Sequence, residues 1–238
     1  MTLSVVIPVF NEAARILPSL ERIFAYMDTH HPEFEVVVVD DGSTDGSGGL
    51  VQQRFAHRPE LRVLSHPGNR GKGHAVRSGA LSARGDTVLM TDADLSTPIE
   101  ELQKLLPWLD RGYDLVIGSR AMAQSEIRRH QPFYREGGGK LFNLMVRLVV
   151  LPEFHDTQCG FKLFRREPLR PVLNRLEING FAFDVEIIAL ARAQGLRVAE
   201  VPVVWINSPL SRVRMGAALR AFADLLQIRR RMRAGMRA

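Results

Sequence analysis

Two aspartates one residue apart, Asp92 and Asp94 in Val88-Leu-Met-Thr-Asp92-Ala93-Asp94-Leu-Ser96, stand where an apolar run that reads as a buried strand meets a turn. Carboxylates placed side by side repel each other and are costly to hold unless a cation offsets their charge. Mg²⁺ or Mn²⁺ would do so, because such ions take oxygen ligands, and Mg²⁺ in particular is held by one or two carboxylates together with substrate phosphates. In the absence of a cation the same residues read as a helix cap and a solvated turn.

Two more acidic loops follow strand-like runs. Leu3 to Val9 leads into Pro8-Val-Phe-Asn11-Glu12, and Glu35 to Val39 leads into Asp40-Asp41-Gly42-Ser43-Thr44-Asp45-Gly46. In an open α/β sheet, ligands bind outside the carboxyl ends of the strands, so the three loops are expected to converge. Asp40 or Asp41 could accept from a ribose hydroxyl or a base N–H. Ser43 or Asp45 could instead cap the next helix. The segment Gly68-Asn69-Arg70-Gly71-Lys72-Gly73 is no phosphate-binding P-loop, since Gly73 stands where Ser or Thr is required. A glycine-opened helix with Lys72 and Arg77 beside it still suits a diphosphate or a base, or is a loop with solvated charges.

The elements that must position these loops are legible in outline. The chain has 238 residues and 45% apolar content, enough for one large domain or two small ones. Helical patterns alternate with short Val- and Ile-rich runs, which predicts an α/β fold around a mostly parallel open sheet. The first strand begins at Leu3, too near the N-terminus for a signal peptide. The single cysteine, Cys159, excludes an internal disulfide and reads as a buried small residue suited to a reducing compartment. No apolar stretch reaches the ~18 residues of a membrane span, and the seven histidines show no zinc-ligand spacing.

Charge is concentrated at one end. From Ser211 to Ala238 eight arginines face the single acid Asp224, a local net of +7, while the whole chain is +6. Met215, Leu219, Phe222, Leu225 and Leu226 recur there at helical spacing. The segment reads either as a basic amphipathic helix on an anionic membrane surface or as a core-packed last helix with a solvated arginine end. No nucleic-acid motif accompanies the arginines, so no nucleic-acid partner is expected. Lys140 to Leu151 is nearly apolar but too short to span, and is either buried or interfacial; Arg147 within it calls for a partner such as a phosphate.

Taken together, Pro8-Val-Phe-Asn11-Glu12, Val39-Asp40-Asp41-Gly42-Ser43-Thr44-Asp45-Gly46, Asn69-Arg70-Gly71-Lys72-Gly73, Asp92-Ala93-Asp94 and Gly118-Ser119-Arg120 resemble the inverting family 2 glycosyltransferases of the GT-A fold. Asp156-Thr-Gln-Cys159-Gly160-Phe-Lys162-Leu-Phe and Phe183-Asp184-Val-Glu186 resemble a narrower branch, the polyprenyl-phosphate sugar synthases, and within it the dolichyl-phosphate glucose synthases most. The resemblance runs from about residue 3 to about residue 213.

The resemblance implies a GT-A domain over residues 1–210, with 1–120 binding a nucleotide sugar and 121–210 the acceptor, followed by a basic C-terminal helix over 211–238. It implies that Asp40 and Asp41 hold the nucleoside, with Pro8, Glu12, Lys72, Asp92 and Ala93 around the donor, and that Asp92 and Asp94 hold Mg²⁺ or Mn²⁺ on its diphosphate. Arg120, Arg135 and Lys162 fall on the acceptor phosphate or the leaving diphosphate, and Asp94, Arg120 and Asp184 are the expected catalytic residues. Asp184 or Glu186 would act as base toward a hydroxyl acceptor, or else be salt-bridge partners at a helix start. Mannose-transferring members often carry Gln two residues beyond the second metal aspartate; Ser96 stands there, which favours UDP-glucose over GDP-mannose. The Gln-x-x-Arg-Trp signature of processive synthases is absent, so a single transfer is expected. The implied acceptor is a polyprenyl or dolichyl phosphate, and the implied place is the cytoplasmic, inner face of a membrane, bound peripherally. The alternatives are a mannosyltransferase, a transferase with a hydroxyl acceptor, and a non-catalytic nucleotide-sugar binder or membrane scaffold.

Overall fold

The structure, a computed structural model, describes residues 2–130, 132–208 and 215–235, with the backbone alone at 134–135, 215–219 and 234–235. Strands β1 (Leu3–Val9), β2 (Phe34–Asp40), β3 (Leu61–Ser65), β4 (Thr87–Met90), β5 (Leu115–Ser119), β7 (Lys162–Arg165) and β8 (Val198–Pro202) form one sheet in the order β3-β2-β1-β4-β7-β5-β8. All pairings are parallel except those of β7, which runs antiparallel to both β4 and β5. A mostly parallel sheet is what the sequence predicts, and Val36 to Val39 shows why: a strand covered on both faces needs apolar side chains at every position rather than at alternate ones.

Helices α1 (Ile16–His30), α2 (Ser47–Arg54) and α4 (Leu102–Asp110) lie over one face, where Ile16, Leu20, Ile23 and Leu105 meet Val5, Ile7 and Val38. On the other face α3 (Lys72–Ser82), α5 (Phe133–Val149), α6 (Arg166–Asn174), α7 (Phe183–Ala193) and α8 (Met215–Gly235) pack against Val6, Val37, Val88 and Phe164. A separate parallel pair joins β6 (Glu126–Arg129) to β9 (Val204–Ile206).

The chain builds outward from β1 through β2 to β3, then returns to the opposite side of β1 with β4. That reversal opens a crevice between the carboxyl ends of β1 and β4, where ligands of such sheets bind. Pro8 and Asp92 flank that crevice.

Helix α8 answers the question posed by the basic tail. Ala221, Leu225 and Ile228 are buried in the core, and Phe222 meets Phe142 of α5 edge to face at 5.5 Å. Leu225 and Phe222 therefore face the protein rather than a bilayer, and of the described apolar residues expected on a lipid face only Leu226 is exposed. Met215, Leu219, Arg212, Arg214 and Arg237 fall outside the described residues or side chains. Helix α5 is two-sided: Phe142 and Val146 are buried, while Leu141, Leu144 and Leu148 are 49–70% exposed, and Arg147 is exposed beside them. No helix among the described residues is long and apolar enough to cross a membrane.

Candidate functional site

At the carboxyl end of β4 the chain leaves the sheet in a tight turn closed by the Leu95 N–H donating to Asp92 O at 3.1 Å. Leu95 adopts a left-handed φ of 46°, uncommon for a residue with a side chain, and Asn11 on the facing loop does the same at 57°. Such conformations persist where surrounding structure holds them, often at binding sites. The turn keeps Asp92 and Asp94 on the crevice side.

The two aspartates have different surroundings. Lys72 Nζ lies 2.7 Å from Asp92 Oδ1. Burial works against the Lys72 charge, yet Asp92 and Asp184 together hold its ammonium above the usual lysine range. Asp94 Oδ1 accepts from the Ser96 N–H at 3.0 Å, and its Oδ2 is 3.4 Å from Arg15 Nη1. Burial, with the neighbouring Asp92 charge behind it, pushes the Asp94 carboxyl above the usual range. Two crowded carboxylates on hard oxygen donors, one of them already resisting its charge, fit a divalent ion such as Mg²⁺ or Mn²⁺. Gly160 packs so closely beneath Asp92 that a Cβ there would collide with the carboxylate.

Arg15, which no motif flagged, joins the other parts of the crevice. Its guanidinium grips Glu12 with two nitrogens, reaches Asp94, and donates to Ser208 Oγ at 2.9 Å. Glu12 is thereby tied to Asp94 across the crevice.

At the carboxyl end of β2, Asp40 Oδ1 accepts from the Ser43 N–H at 2.9 Å, and the start of α2 packs against its other oxygen at Gly48. Asp41 Oδ2 accepts from the N–H groups of Arg70 and Gly71 at 3.0 and 2.8 Å, and its Oδ1 is 2.8 Å from His66 Nδ1. Both carboxylates thus shape the loops, and each keeps lone pairs for a ligand. Asp45 bonds the Ser47 N–H and so caps the start of α2. Asp41, His66 and His74 place ligand atoms within 4.8 Å of one another, a possible metal cluster. Both His66 ring nitrogens already have partners, Asp41 and Ser78, so a metal would have to displace them.

Past the carboxyl end of β5, Arg120 is gripped by Asp156 through Nε at 2.6 Å and Nη2 at 2.9 Å, and its guanidinium lies 5.5 Å over the Trp205 ring. Burial opposes ionisation of Asp156, but Arg120 and backbone N–H groups hold its carboxyl down at about 2. Asn143 of α5 reaches the same carboxylate at 3.4 Å, so the inner face of α5 abuts the Arg120 platform. In the sequence Asp156 stands out only as the first residue of the segment Asp156 to Phe164; its role depends on a pairing 36 residues away in sequence.

Lys162 is not at an open site, contrary to expectation. Its ammonium is 1% exposed and has three acceptors, Asp184 Oδ1 at 2.5 Å, Cys159 O at 2.6 Å and Thr157 O at 3.1 Å. An ammonium has three protons, so none remains for an acceptor phosphate. Asp184 is buried in the same pair. Glu186 is fully buried too, accepting from the N–H groups of Glu177 and Ile178 and from Arg231. The side chain of Arg135 lies outside the described residues. Ala93 is buried under the turn, and Pro8 sits in β1.

The sequence and the fold are similar to those of known proteins. The model of glycosyl transferase family 2 matches residues 4–173. A dolichyl-phosphate beta-glucosyltransferase of Trichomonas vaginalis is 35% identical over 97% of this chain and 72% of its own length. The human enzyme of that name is 33% identical over 98% of this chain and 76% of its own. Among solved structures, mannosyl-3-phosphoglycerate synthase from Rubrobacter xylanophilus superposes with a TM-score of 0.73 at 23% identity, covering 100% of this chain and 76% of that one. Glucosyl-3-phosphoglycerate synthase from Mycobacterium tuberculosis, in complex with Mn²⁺, UDP and glucosyl-3-phosphoglycerate, gives 0.70 at 22%, over 96% and 79%. The fold is that of the GT-A glycosyltransferases. With a family match spanning most of the sheet and relatives aligned over nearly the whole chain, this protein belongs to glycosyl transferase family 2 and is a glycosyltransferase.

Proposed function

We propose that this glycosyltransferase moves glucose from UDP-glucose to a polyprenyl or dolichyl-type lipid phosphate, inverting the anomeric centre, at the cytoplasmic face of a membrane. The relatives named dolichyl-phosphate beta-glucosyltransferase support the glucosyl group and the lipid-phosphate acceptor, and UDP-glucose is the donor bound in a glucosyl-3-phosphoglycerate synthase of the same fold. Asp92 and Asp94 would hold Mg²⁺ or Mn²⁺, which when bound offsets the charge of the donor diphosphate. Lys72 adds a cation from the start of α3, Asp40 and Asp41 shape the nucleoside pocket, and Arg120 faces the acceptor.

The observation that carries the acceptor class is the state of Asp184. The sequence offers it as a base for a hydroxyl acceptor, yet it is 2% exposed and ion-paired to Lys162. Glu186, the other candidate, is equally enclosed. A phosphate monoester arrives already ionised near neutral pH and needs no base. One of its oxygens forms the new bond to the anomeric carbon from the face opposite the nucleotide. The bond to the UDP oxygen breaks and UDP leaves with the electron pair, and no proton moves. Arg120 would screen the approach of one anion to another, a task best done by a fixed cation in a site of low dielectric.

Helix α5 supports the membrane part of the proposal. Its outer stripe of Leu141, Leu144 and Leu148 with Arg147 suits an interface, and its inner face touches the carboxylate that grips Arg120. Incubating the protein with radiolabelled UDP-glucose or GDP-mannose and polyprenyl phosphate in liposomes tests the whole reading. Labelled lipid from UDP-glucose alone is the expected result; transfer from GDP-mannose overturns the donor, and transfer only to hydroxyl acceptors overturns the acceptor.

A further inference from the structure

We infer that Arg231 of the C-terminal helix is a positioning residue for the donor-diphosphate end of the site, acting through Glu186 and the segment 174–179. This rests on the reading of Lys72 and Asp92 as diphosphate-side residues. Arg231 Nη1 bonds Glu186 Oε1, and its Nη2 lies 2.9 Å from Arg175 O and 3.1 Å from Glu177 Oε1. Glu186 is fully buried, and its carboxylate accepts from the N–H groups of Glu177 at 3.1 Å and Ile178 at 2.8 Å. One face of the segment is therefore fixed by α7 and α8.

Its other face is fixed by α3. Asn179 O accepts from the Gly73 N–H at 2.8 Å, and Arg77 Nη1 donates to Leu176 O at 3.0 Å. The contact at Gly71 and Gly73 is so close that a Cβ at either would strike the carbonyls of Asn179 or Ile178. Between those two glycines sits Lys72, with its ammonium on Asp92. The segment 174–179 thus transmits the seating of α8 to the first turn of α3, which explains two glycines that make no P-loop and an acid at Glu186 that serves no proton transfer.

An uncompensated buried carboxylate is strongly disfavoured, so loss of the Arg231 cation forces Glu186 and the backbone it holds to shift or to admit water. Lys72 then loses its fixed place.

A double-mutant cycle tests this, with Kd for UDP in the presence of Mn²⁺ as the readout. Lys72→Met is expected to weaken UDP, and Arg231→Gln to weaken it about fivefold in the wild-type background but not in the Lys72→Met background, since residues coupled through one network are non-additive. Arg231→Lys, which keeps the charge, should recover most of the loss. Leu225→Ala, a core truncation in the same helix, controls for general loosening and should leave Kd within twofold after comparison at matched folded fraction. Equal weakening by Arg231→Gln in both backgrounds, or weakening by Leu225→Ala as large as by Arg231→Gln, overturns the positioning role. A Lys72→Met variant that binds UDP as tightly as wild type instead overturns the diphosphate reading on which it rests, and the relay with it.

Discussion

Lys72 Nζ and Asp92 Oδ1 are 2.7 Å apart, joining the start of α3 to the end of β4 across the mouth of the crevice. The pair sets the charge of the site in the absence of donor: Lys72 offsets Asp92, and Arg15 lies against Asp94. Were Asp92 and Asp94 to hold a divalent ion on a diphosphate, the ion would take over the charge compensation of the carboxylates and leave Lys72 and Arg15 for phosphate oxygens.

Asp94→Ala is expected to abolish turnover while leaving the melting temperature within a few degrees of wild type, because the side chain lies at the crevice and not in the core. The lost charge compensation is worth several kcal/mol in the barrier. Chelator should reproduce the effect in the wild-type protein and added Mn²⁺ should reverse it; turnover that survives chelation contradicts the assignment.

Gly160→Ala is expected to act on the same site from below. The new Cβ must displace the Asp92 carboxylate, breaking its alignment with Lys72. Calorimetric titration with UDP and Mn²⁺ should show affinity lowered at least tenfold, about 1.4 kcal/mol, in a protein that still folds.

Lys162→Met separates a structural cation from an acceptor-binding one. Removing one partner of a buried ion pair typically costs about 3–5 kcal/mol, so denaturant unfolding should reveal a large loss. Restoring an apolar match with Lys162→Met/Asp184→Leu should recover part of it. A Lys162→Met protein of wild-type stability with a raised KM for the lipid phosphate would return Lys162 to the acceptor site.

Asp156 gives a signed pH dependence. Arg120 and backbone N–H groups hold its carboxyl down at about 2, well below the usual carboxylate range, in the folded protein. A depressed folded value contributes stability that is present above the unfolded pKa and is lost as pH falls from about 4 to 2, here about 2 kcal/mol. Asp156→Asn should flatten the acid limb of the stability curve in that window. It should also lower stability at neutral pH, because it leaves Arg120 without its partner.

For membrane seating, Leu144→Asn/Leu148→Asn should reduce cosedimentation with anionic vesicles while the melting temperature is unchanged, since both side chains face outward. Each large apolar side chain transferred out of water contributes about 1.5–3 kcal/mol. Deleting α8 is a different experiment: it strips Leu225 and Ile228 from the core, so loss of the fold is expected along with any loss of vesicle binding.

The strands and loops between Leu3 and Ser96 were legible from sequence because their signals are local. Leu3–Val9 is a run of apolar and β-branched residues with the bounds the pattern suggests, and Asp92 and Asp94 follow such a run directly. The order of motifs along the chain identified the family for the same reason. What tertiary structure alone decided was which charged residues are open and which are enclosed. Lys162 and Arg120 are both basic in the sequence, but β7 inserts between β4 and β5 and carries Lys162 into the interior, while Arg120 lies just past the carboxyl end of β5, partly exposed over Trp205. The tail shows the same limit: Leu225 and Leu226 have identical side chains, and only the partner surface of α5 and α7 determines that one is buried and the other faces solvent. Periodicity fixes which residues share a face of a helix, but the identity of what that face meets depends on contacts distant in sequence.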